Sequence, residues 1–335
     1  MPDRDGAFER TSKIVLSPES RIGSSGVLIH PSFYSACGNR QSGYIRKVTK
    51  KAIVFGSQGQ LGRELCADLA SRGYEIREYD RDQVDVCDQA AVEKLVAPFE
   101  PTVVFNAAAY NMVDVAEEEP EAAYRNNGLA VRNLALACHQ VDARLIHYST
   151  DYVFDGTLGR PYVETDATHP IGAYGVSKLV GEIYAQAYLD RPLIVRTSGV
   201  FGPAGRGTPR GNFLETMLRL ARKGQPIRVV QDYVASPAYA PLLAARSIDL
   251  YERDLDGVFH VGGGTPISWF DYAALIFKVA GVSPELIATS EREHRTVARR
   301  PKFSALSNAK MEAAGLKPMP PMEEVVKAYF QIRNQ

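Results

Sequence analysis

A hydroxyl, a phenol and an ammonium in this chain stand at spacings that could do chemistry. Thr150 ends an apolar run within Ser149-Thr150-Asp151-Tyr152-Val153-Phe154-Asp155-Gly156, and Tyr174 and Lys178 follow four residues apart in Tyr174-Gly175-Val176-Ser177-Lys178. On a helix the i,i+4 spacing sets phenol and ammonium on one face, close enough to interact. An isolated tyrosine, with a pKa near about 10, is a poor proton donor or acceptor at neutral pH. A lysine cation beside it favours the phenolate, and the phenol becomes a usable general acid/base. A threonine hydroxyl from a neighbouring strand end can hydrogen-bond the same substrate oxygen. Such a trio fits reversible reduction of a carbonyl. The Y-x-x-x-K pattern alone is ordinary helix surface, so the reading rests on the elements that carry it.

Those elements begin at Lys51–Phe55, a short apolar run of the kind that forms a strand buried on both faces. It leads straight into Gly56-Ser57-Gln58-Gly59-Gln60-Leu61-Gly62, then an amphipathic helix to about Ser71 with Leu61, Leu65 and Leu69 on one side. A tight glycine turn between strand and helix lets the backbone approach a pyrophosphate and aims a helix N-terminus at its charge. A second strand over 75–79 ends at Asp80-Arg81. An acid there accepts hydrogen bonds from an adenosine ribose and an arginine tolerates a 2′-phosphate. With both present, NADH and NADPH stay equally open. Asp85 and Val86 are candidates to lie against the adenine. A helix over 88–97 and a strand over 102–105 precede Asn106-Ala107-Ala108-Ala109, small residues against which a flat cofactor can lie. A long helix from Ala122 to about Gln140 carries Asn127, and a strand over 144–149 delivers Thr150.

Strand and helix alternate with short connections, the signature of an α/β fold with a doubly wound parallel sheet, Rossmann-like. Ligands of such sheets bind beyond the C-terminal ends of the strands. Gly56, Asn106 and Thr150 all fall just past strand ends, so three candidates converge on one edge with the Tyr174/Lys178 pair. A strand over 193–197 follows. Beyond it come a Gly/Pro/Arg-rich loop, a helix over 212–223, a strand over 227–230, a loop over 231–238 and a helix over 240–251. A strand over 257–261, a helix over 268–280 with the single tryptophan, Trp269, and a closing helix over 322–332 complete the chain. The expected division is an N-terminal extension over 1–48, a dinucleotide-binding domain over 49–200 to which 239–262 returns, and a smaller, mainly substrate-binding lobe over 201–335. The extension, rich in Ser, Gly, Arg and Pro, reads as disordered or as translation from a start codon placed too far upstream.

The 39 basic and 39 acidic residues balance, which argues against nucleic acid or an anionic membrane as partner. No run approaches the roughly 18–20 apolar residues that span a bilayer. The four cysteines, Cys37, Cys66, Cys87 and Cys138, lie far apart. Cys66 and Cys138 fall in apolar helical patterns and read as core, and a reducing, cytoplasmic setting follows. No histidine pair has metal-ligand spacing, so no metal is expected. Glu117-Glu118-Glu119 before Pro120 reads as the cap of a helix start.

Together, the glycine turn, Asn106-Ala107-Ala108-Ala109, the S-T-D-Y-V-F-D-G run with His147 and Tyr148 before it, and Tyr174-Gly175-x-Ser177-Lys178-Leu179-x-Gly181-Glu182 resemble the extended short-chain dehydrogenase/reductases. Within them they resemble the dTDP-4-dehydrorhamnose reductase family, from about Lys51 to Ile332. The resemblance implies reduction of the C4 ketone of dTDP-4-dehydro-L-rhamnose by NADPH or NADH. Tyr174 would donate the proton, Lys178 would hold the nicotinamide ribose, and Thr150 would hydrogen-bond the carbonyl. Gly56, Gly59 and Gly62, with Gln58, Gln60 and Leu61 between them, would take the pyrophosphate. Asn106, Ala107 and Ala108 would line the cofactor, with Ala109, Asn127, Asp80, Arg81, Asp85 and Val86 as further candidates. Asp151, Tyr152, Asp232 and Arg300 would face a nucleotide-sugar substrate. A homodimer is the expected assembly.

Departures cluster on the substrate side. Gly199 stands where the family has a tryptophan, Asp232-Tyr233-Val234-Ala235-Ser236-Pro237-Ala238 lacks the family's Gly and Thr, and Phe303 replaces an Asn. Losing an aromatic contact costs on the order of 1–3 kcal/mol of substrate binding unless another group fills the space. Two alternatives remain. One is a regulatory subunit of the kind that partners methionine adenosyltransferases, which shares this cofactor fold without catalysis. The other is a sibling epimerase or dehydratase, the latter weakened because no Glu follows Asp151.

Overall fold

Runs of Val, Ile, Phe and Leu bounded by polar turns become strands whose side chains are shielded on both faces, as a parallel sheet between two helix layers requires. They are β1 (Lys51–Phe55), β3 (Val103–Asn106), β4 (Arg144–Thr150) and β5 (Leu193–Thr197). With β2 (Glu75–Tyr79) and β8 (Gly257–His260) they form a six-stranded sheet in the order β2-β1-β3-β4-β5-β8, each neighbouring pair parallel. The chain winds outward from β1 in both directions. The C-terminal ends of β1 and β3 therefore flank the crevice where the winding reverses, the usual ligand site of such sheets. This computed structural model describes residues 50–207, 211–293 and 295–333; the extension expected over 1–48, Cys37 included, lies outside the described residues.

One face of the sheet is covered by α1 (Gln60–Ser71) and α8 (Ala240–Glu252), where Leu61, Leu65 and Leu69 meet Leu243, Ala244 and Ile248. The other is covered by α2 (Gln89–Phe99), α5 (Ala130–Gln140) and α6 (Ala173–Tyr188), which bury Val92, Val96, Val131, Leu134 and Ala185. Ahead of α5 lie the short α3 (Val115–Glu118) and α4 (Pro120–Tyr124). A separate apolar cluster belongs to α7 (Phe213–Ala221), α9 (Trp269–Ala280) and α11 (Met322–Arg333), beside β6 (Ile227–Val230) paired parallel with β10 (Leu286–Thr289). The antiparallel pair β7 (Val234–Ala235) and β9 (Ile267–Ser268), and α10 (Ala309–Ala313), complete the described elements.

Three local expectations change. The helix expected over 122–140 starts at Pro120 and passes through a π turn, Arg125–Leu129, that holds Asn127. Such single-turn insertions redirect one side chain without ending the helix, and nothing in the apolar spacing announces one. The strand expected over 102–105 runs to Asn106. The stretch 231–238, expected as loop, contains β7, and β9 and β10 add strands that periodicity did not suggest. The two-residue β7 and β9 carry no alternation, and the four-residue β10 is an edge strand paired only with β6, so pairing alone reveals them.

Candidate active site

The residue before α6 is Gly172, which offers no side-chain cap. The cap comes from elsewhere: Glu117 Oε1 accepts the Ala173 backbone N–H at 2.8 Å. The acidic run expected to cap its own helix thus caps the helix carrying Tyr174 and Lys178. Tyr174 sits in the first turn, half-buried, its ring edge-on to Tyr152 with centroids 5.6 Å apart. One turn on, Lys178 is only 3 % exposed and its Nζ donates to the Tyr148 carbonyl of β4 at 2.6 Å. Burial pushes its amine down to about 8, against the pull of Glu182. Ser177 between them donates to the Tyr174 carbonyl and accepts from Asn127 Nδ2 at 2.9 Å. Asn127 also exchanges hydrogen bonds with both backbone groups of Tyr110, at 2.8 and 2.9 Å. The π turn therefore clasps the segment after β3 to the catalytic helix.

Thr150 ends β4, and a 3-10 turn, Asp151–Val153, begins at once. Its Oγ1 accepts the Tyr152 N–H at 3.2 Å and donates to Asp151 Oδ1 at 3.1 Å. Asp151, 3 % exposed, also accepts Ser198 Oγ at 2.9 Å and Ser304 Oγ at 2.5 Å. Burial pushes its carboxyl up to about 6, and the three hydroxyls oppose that rise. Ser198 and Ser304 escaped the sequence reading; Ser304 lies 153 residues away in the chain, and no local pattern could have flagged it. Below them, Arg196 grips Glu182 at 2.7 and 2.9 Å, both almost wholly buried, and Ser149 donates to the same carboxylate. The ion pair ties α6 to β5, and the Ser149 hydrogen bond ties it to β4.

The glycine turn forms as its spacing suggests. Gly56 has φ +77°, and a Cβ there would lie 2.6 Å from the Ala108 backbone nitrogen. One at Gly62 would collide with the Gly56 carbonyl. Gly59 caps α1 without a side chain, and the first turn holds no acid, so its N–H groups keep their affinity for an anion. Within the described residues, the buried Ser57 Oγ and Asn106 Oδ1 have no hydrogen-bond partner. A dinucleotide fits this cradle. Asn106 Nδ2 meets His147 Nδ1 at 3.1 Å, and burial with the nearby Lys178 charge holds that imidazole well below its usual pKa.

Other candidates are engaged locally. Gln58 accepts from Arg63, and Gln60 from Asn212 at 3.0 Å. Leu61 is core, and Ala107 N–H donates to the Phe55 carbonyl. Asp80 accepts the Arg81 N–H at 2.8 Å while the Arg81 side chain lies in solvent. Asp85 turns on Cys87 N–H at 2.9 Å, and the Val86 carbonyl accepts from Asn133. Arg300 pairs with Asp114 at 2.8 Å, and burial pushes the Tyr152 phenol up while the Arg300 charge opposes that rise. Asp232 accepts the Glu291 N–H at 3.1 Å. At Gly199, φ is +47° and a Cβ would stand 3.2 Å from Trp269 Cη2. The place where the family's tryptophan is missing is bordered by an indole from α9.

The chain matches the family described as the RmlD substrate binding domain over residues 50–334. It is 39 % identical over 275 residues to the dTDP-4-dehydrorhamnose reductase of Escherichia coli K12, covering 78 % of this chain and 90 % of that protein. The spore coat polysaccharide biosynthesis protein SpsK of Bacillus subtilis is 36 % identical, over 85 % of this chain and 98 % of that protein. Among solved structures, a Bacillus anthracis dTDP-4-dehydrorhamnose reductase in complex with NADP superposes with a TM-score of 0.81 at 33 % identity, covering 85 % of this chain and 99 % of that one. A Thermus thermophilus UDP-glucose 4-epimerase complexed with NAD, TM-score 0.73 at 24 % identity over 85 % and 99 % of the two chains, shares the fold.

Proposed function

The chain belongs to the dTDP-4-dehydrorhamnose reductases, the family of the RmlD substrate binding domain, and from that premise we propose that it reduces the C4 keto group of dTDP-4-dehydro-L-rhamnose to give dTDP-L-rhamnose. It is an oxidoreductase that works with NADPH or NADH. The observation that carries the reading is that Lys178, one turn from Tyr174 on α6, is anchored to β4, the strand that delivers Thr150. No specific observation favours the regulatory-subunit or epimerase readings.

Gly56, Gly59 and Gly62 with the α1 N-terminus would hold the pyrophosphate of the cofactor, whose reduced nicotinamide would supply the hydride. Tyr174 gives its phenolic proton to the C4 oxygen as that oxygen gains charge. Lys178, charged below about pH 8, favours the phenolate that this leaves. Thr150 Oγ1 is fixed by the Tyr152 N–H and turns its own hydrogen to the same oxygen, an exchange for its bond to Asp151. Tyr152 and Arg300 bound the substrate side, Asp151 holds the hydroxyls beneath it, and Asp232 shapes the loop beyond. In this reading residues 49–200, with 239–262 returning to the sheet, hold the cofactor, and 201–335 mainly hold the sugar nucleotide. The described helices include none long and apolar enough to cross a membrane. The free thiols Cys66, Cys87 and Cys138 fit the cytoplasmic setting proposed from the sequence.

The test is to generate dTDP-4-dehydro-L-rhamnose in situ and follow NADPH and NADH oxidation separately. Consumption with dTDP-L-rhamnose as product is expected, and the two rates give the coenzyme preference. Cofactor binding without consumption would overturn the substrate assignment.

A further inference from the structure

We propose that the indole of Trp269 is the surface against which the sugar ring of the substrate packs; the inference rests on the nucleotide-sugar reading above. Gly199 lies two residues past the end of β5, and the direction a side chain would take there is filled by Trp269 Cη2 at 3.2 Å and Pro237 Cβ at 3.3 Å. The aromatic group at this strand end thus arrives from the start of α9, not from the strand's own loop.

Its support is rigid. The Trp269 backbone N–H donates to the Tyr233 carbonyl at 3.1 Å, next to the β7–β9 pair, and fixes the main chain that carries the indole. Ser268 caps α9 by accepting the Asp271 N–H at 3.0 Å. Phe213 packs edge-on against the indole, centroids 4.7 Å apart. Unlike Tyr272 beneath it, which is fully buried, Trp269 keeps part of its surface open. Its surroundings are those of the reaction. Ser198, beside Gly199, holds Asp151, which holds Thr150. Tyr233, whose carbonyl accepts the Trp269 backbone N–H, lies with Tyr152 near the Arg300 charge, and Tyr152 touches Tyr174. A 6-deoxy sugar presents C–H groups and a methyl to such a face, and a held aromatic offers that contact area with little entropy left to lose.

Because Trp269 is the single tryptophan, its emission reports on this spot alone. The wild-type protein, loaded with NADP⁺, is titrated with dTDP-L-rhamnose and separately with dTDP, exciting tryptophan selectively. A saturable change with the sugar nucleotide, much smaller with dTDP, is expected; equal responses, or none, overturn the proposal. In turnover, Trp269→Ala should raise KM roughly tenfold, with kcat within about twofold and NADP⁺ affinity unchanged, and Trp269→Phe should restore most of the loss. An unchanged KM in Trp269→Ala overturns the proposal while wild-type turnover leaves the reductase reading intact. Should Trp269→Ala fail to fold, Trp269→Phe and the wild-type titration still decide. Absence of wild-type turnover would sink the reductase reading instead, and the titration would still judge Trp269 as a sugar contact.

Discussion

Lys178 combines two demands that pull against each other: a cation is wanted beside Tyr174, yet the site buries it almost completely. The Tyr148 carbonyl and the Glu182 charge compensate part of the desolvation, and the amine remains near 8. A lysine is charged below its pKa, so kcat/KM should hold at neutral pH and fall as pH rises through about 8. A pH–rate profile flat across that range would remove Lys178 from the proton chemistry. The linkage to stability has the opposite sense: the folded amine loses its proton before the unfolded one does. Its burial penalty is therefore full below about pH 8 and is relieved as pH rises toward the ordinary lysine range. Tyr174→Phe removes the transferable proton and leaves the packing against Tyr152, so kcat/KM should drop by about 10²–10⁴-fold with NADP⁺ binding retained. Near-normal turnover would exclude Tyr174 as the acid. Both residues were legible in the sequence because i,i+4 is a local spacing. Ser198 and Ser304 were not, because their shared partner Asp151 is assembled from three distant segments.

At the scale of elements, α6 is the piece that must be placed well, and contacts from outside it do so. Glu117 caps its first turn, and the Glu182–Arg196 pair pins its middle to β5. Removing a cap acceptor costs about 1 kcal/mol. Glu117→Ala should accordingly lower the melting temperature by a degree or more, and reduce kcat by loosening Tyr174. Glu117→Gln, which keeps an acceptor oxygen, should recover both in thermal unfolding and turnover assays; equal loss in the two variants would show that charge, not capping, matters. The helix itself was legible, its cap was not, because cap and helix are 56 residues apart. The π turn at Asn127 was hidden for a different reason: a one-residue insertion in the backbone ladder leaves the apolar periodicity on either side nearly undisturbed.

For the whole molecule, the cofactor crevice is a meeting of chain segments that an unfolded chain does not hold together. A ligand that binds only the folded form stabilises it by about 2.7 kcal/mol at 100 times its Kd. NADP⁺ at that excess should raise the melting temperature measurably. In Gly62→Ala, whose Cβ would collide with the Gly56 carbonyl, the rise should shrink or vanish. An undiminished shift in that variant would place the dinucleotide elsewhere. The parallel sheet, its helix layers and the edge on which Gly56, Asn106 and Thr150 meet follow from strand–helix alternation alone, since ligands of a doubly wound sheet have one end to occupy.

What the amino-acid sequence determined by itself was whatever depends on neighbours within a turn or two: buried strands, the glycine turn, and the Tyr174/Lys178 face. Tertiary structure decided the rest, because each remaining contact joins residues far apart in the chain. It supplied Glu117 as the cap of α6 and made Asp151 a junction of hydroxyls. At Gly199, where the sequence records only a missing side chain, the fold brings Trp269 to the same place from a separate helix, because packing space is shared in three dimensions and not along the chain.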